Sequence, residues 1–356
     1  MQNFYKNKRI FLTGQTGFKG AWLGFILQKM GAKVFGFGLE PEDFRGNLYN
    51  ILGLGNIIEK STIGDICDKN LLERAYKEAS PDIVFHLAAQ PFVLRSYKDP
   101  IKNYQTNVIG LANLFEIARS IDIKPKVMLN ITTDKCYENK EWHYPYREND
   151  RLGGHDPYSA SKAMAEILTK SYRDSFFQNS DVKLLTARGG NVIGGGDFGE
   201  NRIVPDLIDS IINVKKLEIR SPNSIRPWQH VFDVLSGYMS FAQYAYNNNN
   251  LEILSVNIGP ENSNPITTLE LVKSIIGNIG KGEFEIKQGN FPHEAHYLKL
   301  DISLAKNILN WMPKLSLNET IKQTANWYKI YIEKGDLLKI SNKMVDDFFD
   351  SWLFQK

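Results

Sequence analysis

The segment from Arg9 to Met30 narrows the choice of fold more than any other. Arg9-Ile10-Phe11-Leu12-Thr13 reads as a short buried strand, and Gly14-Gln15-Thr16-Gly17-Phe18-Lys19-Gly20 follows at once. Ala21 to Met30 then carries Leu23, Ile26, Leu27 and Met30 at helical spacing. Strand, glycine turn and helix in that order are what a dinucleotide site requires. Glycines permit the tight turn and close backbone approach, and the helix N-terminus offers unpaired N–H groups to a pyrophosphate. The spacing is Gly-x-x-Gly-x-x-Gly, not the commoner Gly-x-Gly-x-x-Gly. Alone such a triplet also suits a plain turn. Between a strand and a helix it reads as a cofactor loop, with Gly14, Thr16, Gly17, Phe18, Lys19 and Gly20 as its candidates.

The same alternation continues down the chain. Lys33 to Phe37 is a second strand, Ile57-Ile58-Glu59 leads to Gly64-Asp65-Ile66, and Leu71 to Ala79 is helical. Ile83 to Leu87 is a strand ending in Ala88-Ala89, small residues that let a ligand lie close. Helices are expected over 103–120, 158–177 and 203–214, and strands over 126–131, 183–187 and 255–258. Strands alternating with helices predict a doubly wound α/β fold: a parallel sheet covered on both faces, with ligands at the carboxyl ends of the strands. The clusters at 14–20, 65–66, 86–90 and 132–137 all follow predicted strands, which adds Asp65, Ile66, Leu87, Ala88 and Ala89 to the cofactor candidates. An acidic residue at the end of the second strand would grip an adenosine ribose. Phe37, Gly38 and Leu39 stand there with Glu40 only afterwards, and no basic residue is present. The residues leave NAD and NADP both open, with a lean to NAD.

Length and charge exclude other classes. A chain of 356 residues suits one large domain or two closely joined ones. The expected division is a Rossmann domain over 1–188, rejoined by about 228–260, and a smaller substrate lobe formed mainly by 189–356. A hydrophobic content of 42% with 23% charged residues is that of a globular enzyme, and a net charge of +3 argues for neither nucleic acid nor membrane. Cys67 and Cys136 form no metal-like spacing and no disulfide framework, so no metal is expected and a reducing compartment fits. No signal-peptide core and no run long enough to span a bilayer is present, so the expected location is cytoplasmic.

Chemistry concentrates between Leu129 and Lys162. The predicted strand over 126–131 delivers Thr132-Thr133-Asp134-Lys135-Cys136-Tyr137, and Asp156-Pro157-Tyr158-Ser159-Ala160-Ser161-Lys162 looks like a helix start. Residues four apart share a helix face, so Tyr158 and Lys162 point the same way. A phenol with a pKa of about 10 needs a neighbouring cation to act as a base, and an ammonium supplies it. Alone, Tyr-x-x-x-Lys is an ordinary helix surface; beside a glycine loop and a hydroxyl-bearing strand end it reads as a proton-transfer site. His86 reads as a packing or hydrogen-bonding residue, and Cys136 as structural.

These motifs resemble the extended short-chain dehydrogenases/reductases that act on nucleotide sugars, and within them the CDP-glucose 4,6-dehydratase family. The resemblance runs through Gly14–Gly20, His86-Leu87-Ala88-Ala89-Gln90-Pro91, Thr132–Asn139, Leu152-Gly153-Gly154, Asp156–Lys162, Gly190–Asp197 and Arg226-Pro227-Trp228-Gln229-His230-Val231. It departs at Gly189, where a small alanine is common, and in detail over 142–146. The resemblance implies NAD as cofactor and CDP-glucose as substrate. It implies oxidation at sugar C4, loss of water across C5 and C6, and return of the hydride to C6. It assigns Tyr158 as the C4 base, Thr133 as the group that orients the C4 oxygen, and Lys162 as the group that lowers the Tyr158 pKa and holds the nicotinamide ribose. Asp134 is the acid for water loss and Lys135 the C5 base, where dTDP-glucose and GDP-mannose dehydratases carry Glu. A pyrophosphate needs cationic or bidentate partners, so Arg202, Arg226 and His293 are substrate candidates beside Gln90, Asn191 and Tyr297; each also reads as an ordinary loop residue. A homodimer or homotetramer through the helices at 103–120 and 158–177 is implied by the same resemblance.

Overall fold

Seven strands form one parallel sheet in a computed structural model that describes residues 2–261, 266–287 and 298–350. They are β1 Arg9–Thr13, β2 Lys33–Gly38, β3 Lys60–Ile63, β4 Ile83–His86, β5 Val127–Thr133, β6 Lys183–Gly189 and β7 Ser255–Ile258. Their spatial order is β7-β6-β5-β4-β1-β2-β3, with every neighbouring pair parallel. Side chains alternate across the sheet. Ile10, Leu12, Phe85, Leu129 and Leu185 enter the core on one face, and Phe11, Val84, Met128 and Leu184 the core on the other. This is why the central strands β1, β4, β5 and β6 are mostly apolar: neither of their faces meets water, whereas the edge strand β3 is exposed.

The helices that matter for function are α1 Phe18–Lys29, α2 Lys69–Ala79, α3 Gly110–Ser120, α4 Pro157–Tyr172, α5 Ile203–Ile212 and α6 Val231–Asn247. α1 is buried nearly all round, with Trp22 donating from its indole to the Gly195 carbonyl at 2.9 Å and meeting Phe232 of α6 edge-on at 4.9 Å. α4 starts where the sequence predicts: the Asp156 carboxylate accepts from Ser159 N at 2.9 Å, and Pro157 fills the first turn. The helix expected over 103–120 begins earlier, at Pro100, and widens into a π turn over Gln105–Ile109 before α3. The third strand lies at Lys60–Ile63 because Leu54–Ile57 is a helical turn. The stretch 224–230 contains two short pairings: Ile225–Arg226 with Ile266–Thr267, and Gln229–His230 with Val192–Ile193. No helix among the described residues is long and apolar enough to cross a membrane.

A buried ion pair joins α4 to the sheet. Glu166 Oε2 lies 2.9 Å from Arg188 Nη2, and both side chains are almost wholly enclosed. Glu166 also accepts from Thr132 at the end of β5 and from Thr186 of β6. Arg188 donates onward to the Tyr137 hydroxyl at 2.7 Å, which donates to Asn257 of β7. A buried charge pair is costly to form and more costly to break singly. Arg188→Met is therefore expected to lose about 3–5 kcal/mol in urea melts. The double variant Arg188→Met with Glu166→Gln should lose less than the single one, because no lone buried carboxylate remains.

Candidate active site

The carboxyl ends of β1, β4, β5 and β6 open into a cleft of about 1310 Å³ that holds the glycine loop and the Thr132–Lys135 strand end together. At its cofactor side the backbone fits a dinucleotide. Gly14 has a φ of +80°, and a Cβ there would fall 2.8 Å from Ala88 N. At Gly20 a Cβ would fall 1.9 Å from the Gly14 carbonyl oxygen, so only hydrogen allows the loop to fold back on itself. No side chain caps the N-terminus of α1, which leaves its N–H groups available to an anion. Ala88 and Ala89 line the cleft as small residues, and Thr13 fixes the end of β4 by bonding His86 Nδ1 at 2.8 Å and accepting from Ala88 N. These residues fit NAD.

The proton-transfer groups lie opposite. Thr133 Oγ1 donates to Asp134 Oδ1 at 2.8 Å, and Tyr158 lines the same cleft. Asp134 is buried and its Oδ2 has no partner. Burial raises its pKa, against Thr133, Lys135 and Arg226, which lower it. Burial likewise drives the Tyr158 phenol well above its ordinary value; Arg202 and Thr133 act the other way, and Asp134 adds to the rise. Lys162 is buried on the same face of α4, donates to the Ile131 carbonyl at 3.2 Å, and is lowered to about 8, first by desolvation. Lys19 is lowered to about 8 as well, by desolvation and then by the charges of Lys162 and Arg202. A cleft with several cations depressing one another is matched to a ligand of opposite charge. Lys135 is half-buried on the cleft wall.

The cleft brings together most of the residues singled out from sequence. Thr16, Phe18, Gly17, Asp65, Ile66, Leu87 and Gln90 all line it, as do Asn191, Arg202 and Arg226. Several are occupied locally. Asp65 is ion-paired with Lys102 at 2.7 Å, and Thr16 donates to the Leu39 carbonyl. Gln90 spends its amide on Phe92 and Asn103, bracing its own loop. Arg202 lies against both oxygens of Asp197, at 3.0 and 2.9 Å. His293 and Tyr297 lie outside the described residues. His86 is buried with its pKa lowered to about 3, chiefly by desolvation, and Cys136 is buried with its thiol pushed up; neither is poised for chemistry.

Other residues at the site were not singled out as candidates. Glu166 lies one turn past Lys162, a spacing visible in sequence; its carboxylate acts to raise the Lys162 pKa. Arg95 clasps two loops across the cleft, meeting Glu42 at 2.5 Å and Glu200 at 2.5 Å. Tyr238 of α6 has a buried hydroxyl with no partner, electrostatically coupled to Tyr158 and Asp134. No local pattern marks Arg95 or Tyr238, because both act across long sequence separations.

The chain matches the family model described as GDP-mannose 4,6 dehydratase over residues 11–324. It is 42% identical to a CDP-glucose 4,6-dehydratase of Salmonella typhimurium, over 98% of both chains. Among solved structures, dTDP-glucose 4,6-dehydratase from Bacillus anthracis in complex with NAD is 25% identical with a TM-score of 0.75, covering 92% of this chain and 99% of that one. An epimerase from Methanothermobacter thermautotrophicus shares the fold with a TM-score of 0.79 at 23% identity, over 94% and 96% of the two chains.

The depressed Lys162 pKa carries a stability cost. Between about pH 8 and 10.5 the unfolded chain holds more protons at this lysine than the folded one, so the folded state gains stability as pH rises through that window. Lys162→Met is expected to raise the melting temperature of the cofactor-free protein by several degrees near pH 7, for a gain of up to about 3 kcal/mol. The gain should vanish above about pH 10.5 in calorimetry.

Proposed function

The chain belongs to the GDP-mannose 4,6-dehydratase family of extended short-chain dehydrogenases/reductases, and from that premise we propose that it converts CDP-glucose to CDP-4-dehydro-6-deoxyglucose with recycled NAD. The observation that carries this reading is the buried Asp134 hydrogen-bonded to Thr133, in one cleft with Tyr158, Lys162 and the glycine loop. An alcohol oxidation alone needs only the tyrosine. A buried carboxyl raised towards its acid form adds the means to expel water.

NAD, when bound, supplies the acceptor and later the donor of the sugar hydride. Gly14, Gly17, Gly20 and the N-terminus of α1 would hold its pyrophosphate, Ala88 and Ala89 would let it lie close, and Lys162 would hold the nicotinamide ribose. Tyr158 takes the C4 hydroxyl proton while Thr133 orients that oxygen. The ketone then acidifies the C5 hydrogen, which Lys135 removes. Asp134 protonates the departing C6 hydroxyl. Asn191, Arg202 and Arg226 would meet the sugar and its pyrophosphate; Arg202 is already half-neutralised by Asp197, which leaves its guanidinium edge for a phosphate.

A homodimer is part of the reading. Ile101, Ile109, Met164, Ile167 and Phe176 are exposed on the two neighbouring helical stretches around α3 and α4, and an apolar face of this kind suits self-association. Sedimentation at micromolar concentration is expected to give a mass of at least two chains, and a charged Ile167→Glu variant should shift it towards one.

The activity is tested by incubating the protein with CDP-, dTDP-, GDP- and UDP-sugars separately. Loss of one water from CDP-glucose without accumulating NADH is the expected result, and turnover of another nucleotide sugar alone would move the substrate assignment. Lys135→Ala should lose deuterium exchange at C5 while keeping cofactor reduction. Intact exchange in that variant would remove Lys135 from its role as base.

A further inference from the structure

Three segments that are far apart in the chain meet at one guanidinium beside the cleft. Arg95 lies on the short helix Val93–Lys98 that follows β4. Its Nε donates to Glu200 Oε1 at 2.5 Å, in the loop that also carries Asp197 and Arg202. Its Nη1 and Nη2 donate to the two oxygens of Glu42 at 2.5 and 2.8 Å, in the loop that leaves β2. All three residues line the cleft. The planar fork of arginine allows this: two N–H groups grip one carboxylate while a third holds another.

The segment 39–47 forms a strap beside the glycine loop. At its start the Thr16 hydroxyl donates to the Leu39 carbonyl at 2.9 Å, and at its end Asn47 Nδ2 donates to the Thr16 carbonyl at 3.2 Å. Between these ties Glu42 reaches Arg95, and Arg45 reaches Asp206 of α5 at 2.6 Å. Leu39 and Phe44 line the cleft yet are 55% and 59% exposed, apolar surface that a bound ligand would cover. The loop 197–202 is held in a second way. The Arg95 and Arg202 guanidinium carbons lie 4.5 and 5.0 Å from the Phe92 ring centre, and a Cβ on Gly199 would fall 2.9 Å from Phe92 Cε1.

Resting on the dehydratase reading, we infer that Arg95 is a positioning residue that latches the strap 39–47 to the loop 197–202 and so retains the cofactor in the cleft until the hydride has been returned to the sugar. A reaction with no net oxidation has no step that calls for cofactor release. Losing the reduced cofactor in mid-cycle would strand the keto sugar. Glu42 and Glu200 are the two catches of the latch, one on each side of the guanidinium. Without Arg95 the two carboxylates would repel each other, and the strap and the loop would part.

Exposure separates this contact from the Glu166–Arg188 pair. The side chains of Arg95, Glu42 and Glu200 are 33%, 52% and 32% exposed, against 4% and 2% for Arg188 and Glu166. Breaking a buried pair leaves a charge without water, so that contact is a permanent frame. Groups at the solvent edge regain hydration when they part, and salt screens their attraction. The latch can therefore open to admit a cofactor and close behind it. One exposed ion pair would hold little; a guanidinium shared by two carboxylates and stacked on Phe92 holds more.

The test follows cofactor release. Protein loaded with NADH is mixed with excess NAD in a stopped-flow fluorimeter, and the decay of NADH fluorescence gives the release rate. Arg95→Met is expected to speed release by about ten-fold, and Glu42→Gln or Glu200→Gln by smaller factors. Arg95→Met combined with Glu200→Gln should release no faster than Arg95→Met alone, because both remove the same contact. Arg95→Lys keeps the charge without the fork and should recover release to within about three-fold of wild type. Raising NaCl from about 0.05 to about 0.5 M should speed release from the wild type more than from Arg95→Met. Release from Arg95→Met at the wild-type rate overturns the latch. So does salt-independent release from the wild type, a readout that needs no variant to fold. Failure of the dehydratase reading shows differently: no nucleotide sugar is turned over, although NADH release still responds to Arg95.

Discussion

The active site depends on the buried contact between Glu166 and Arg188. The groups that do chemistry come from two elements, the carboxyl end of β5 and the first turns of α4, and their separation must hold to a fraction of an ångström. Glu166 is fixed to Thr132 on β5, to Thr186 and Arg188 on β6, and through Arg188 to Tyr137 and Asn257. Lys162 and Tyr158 lie on the same helix one and two turns earlier, respectively. Because a charge so deep is tolerated only when paired, α4 has one position on the sheet at which both ions are satisfied. That position sets Tyr158 and Lys162 on the cleft that Thr133 also lines.

Burial then tunes the groups that the frame positions. Desolvation is the largest influence on Tyr158, Asp134, Lys162 and Lys19, raising the acids and lowering the amines. The same dry cleft that disfavours isolated charges strengthens hydrogen bonds between neighbours. The cations at the cofactor and substrate sides carry an unfavourable charge that anionic pyrophosphates would relieve, so ligand binding and protonation are coupled in this cleft.

Much of the arrangement was legible in the residues. The order strand, glycine turn and helix at 9–30 set the parallel topology, and β1 and β7 lie at the predicted residues. Asp156-Pro157 marks the start of α4 because cap and proline chemistry are local. The errors are local too: the third strand was displaced because Ile57 and Ile58 are apolar without being in a strand, and the short pairings at Ile225–Arg226 and Gln229–His230 come from partners elsewhere in the chain. Gln90, a substrate-contact candidate from the sequence, lines the cleft with its amide bracing the 90–103 loop.

By itself, then, the sequence determined the sheet and the position of the glycine loop, because these follow from local periodicity and motif spacing, while the family resemblance singled out Thr133, Asp134, Lys135, Tyr158 and Lys162 as candidates. Only the tertiary structure decided which of them touch. That Lys162 turns to the Ile131 carbonyl and that Glu166 pairs with Arg188 are contacts between distant segments. Proton affinity in a buried site is set by which neighbours are within hydrogen-bonding reach and how much water is excluded, and neither is encoded at a single position in the chain.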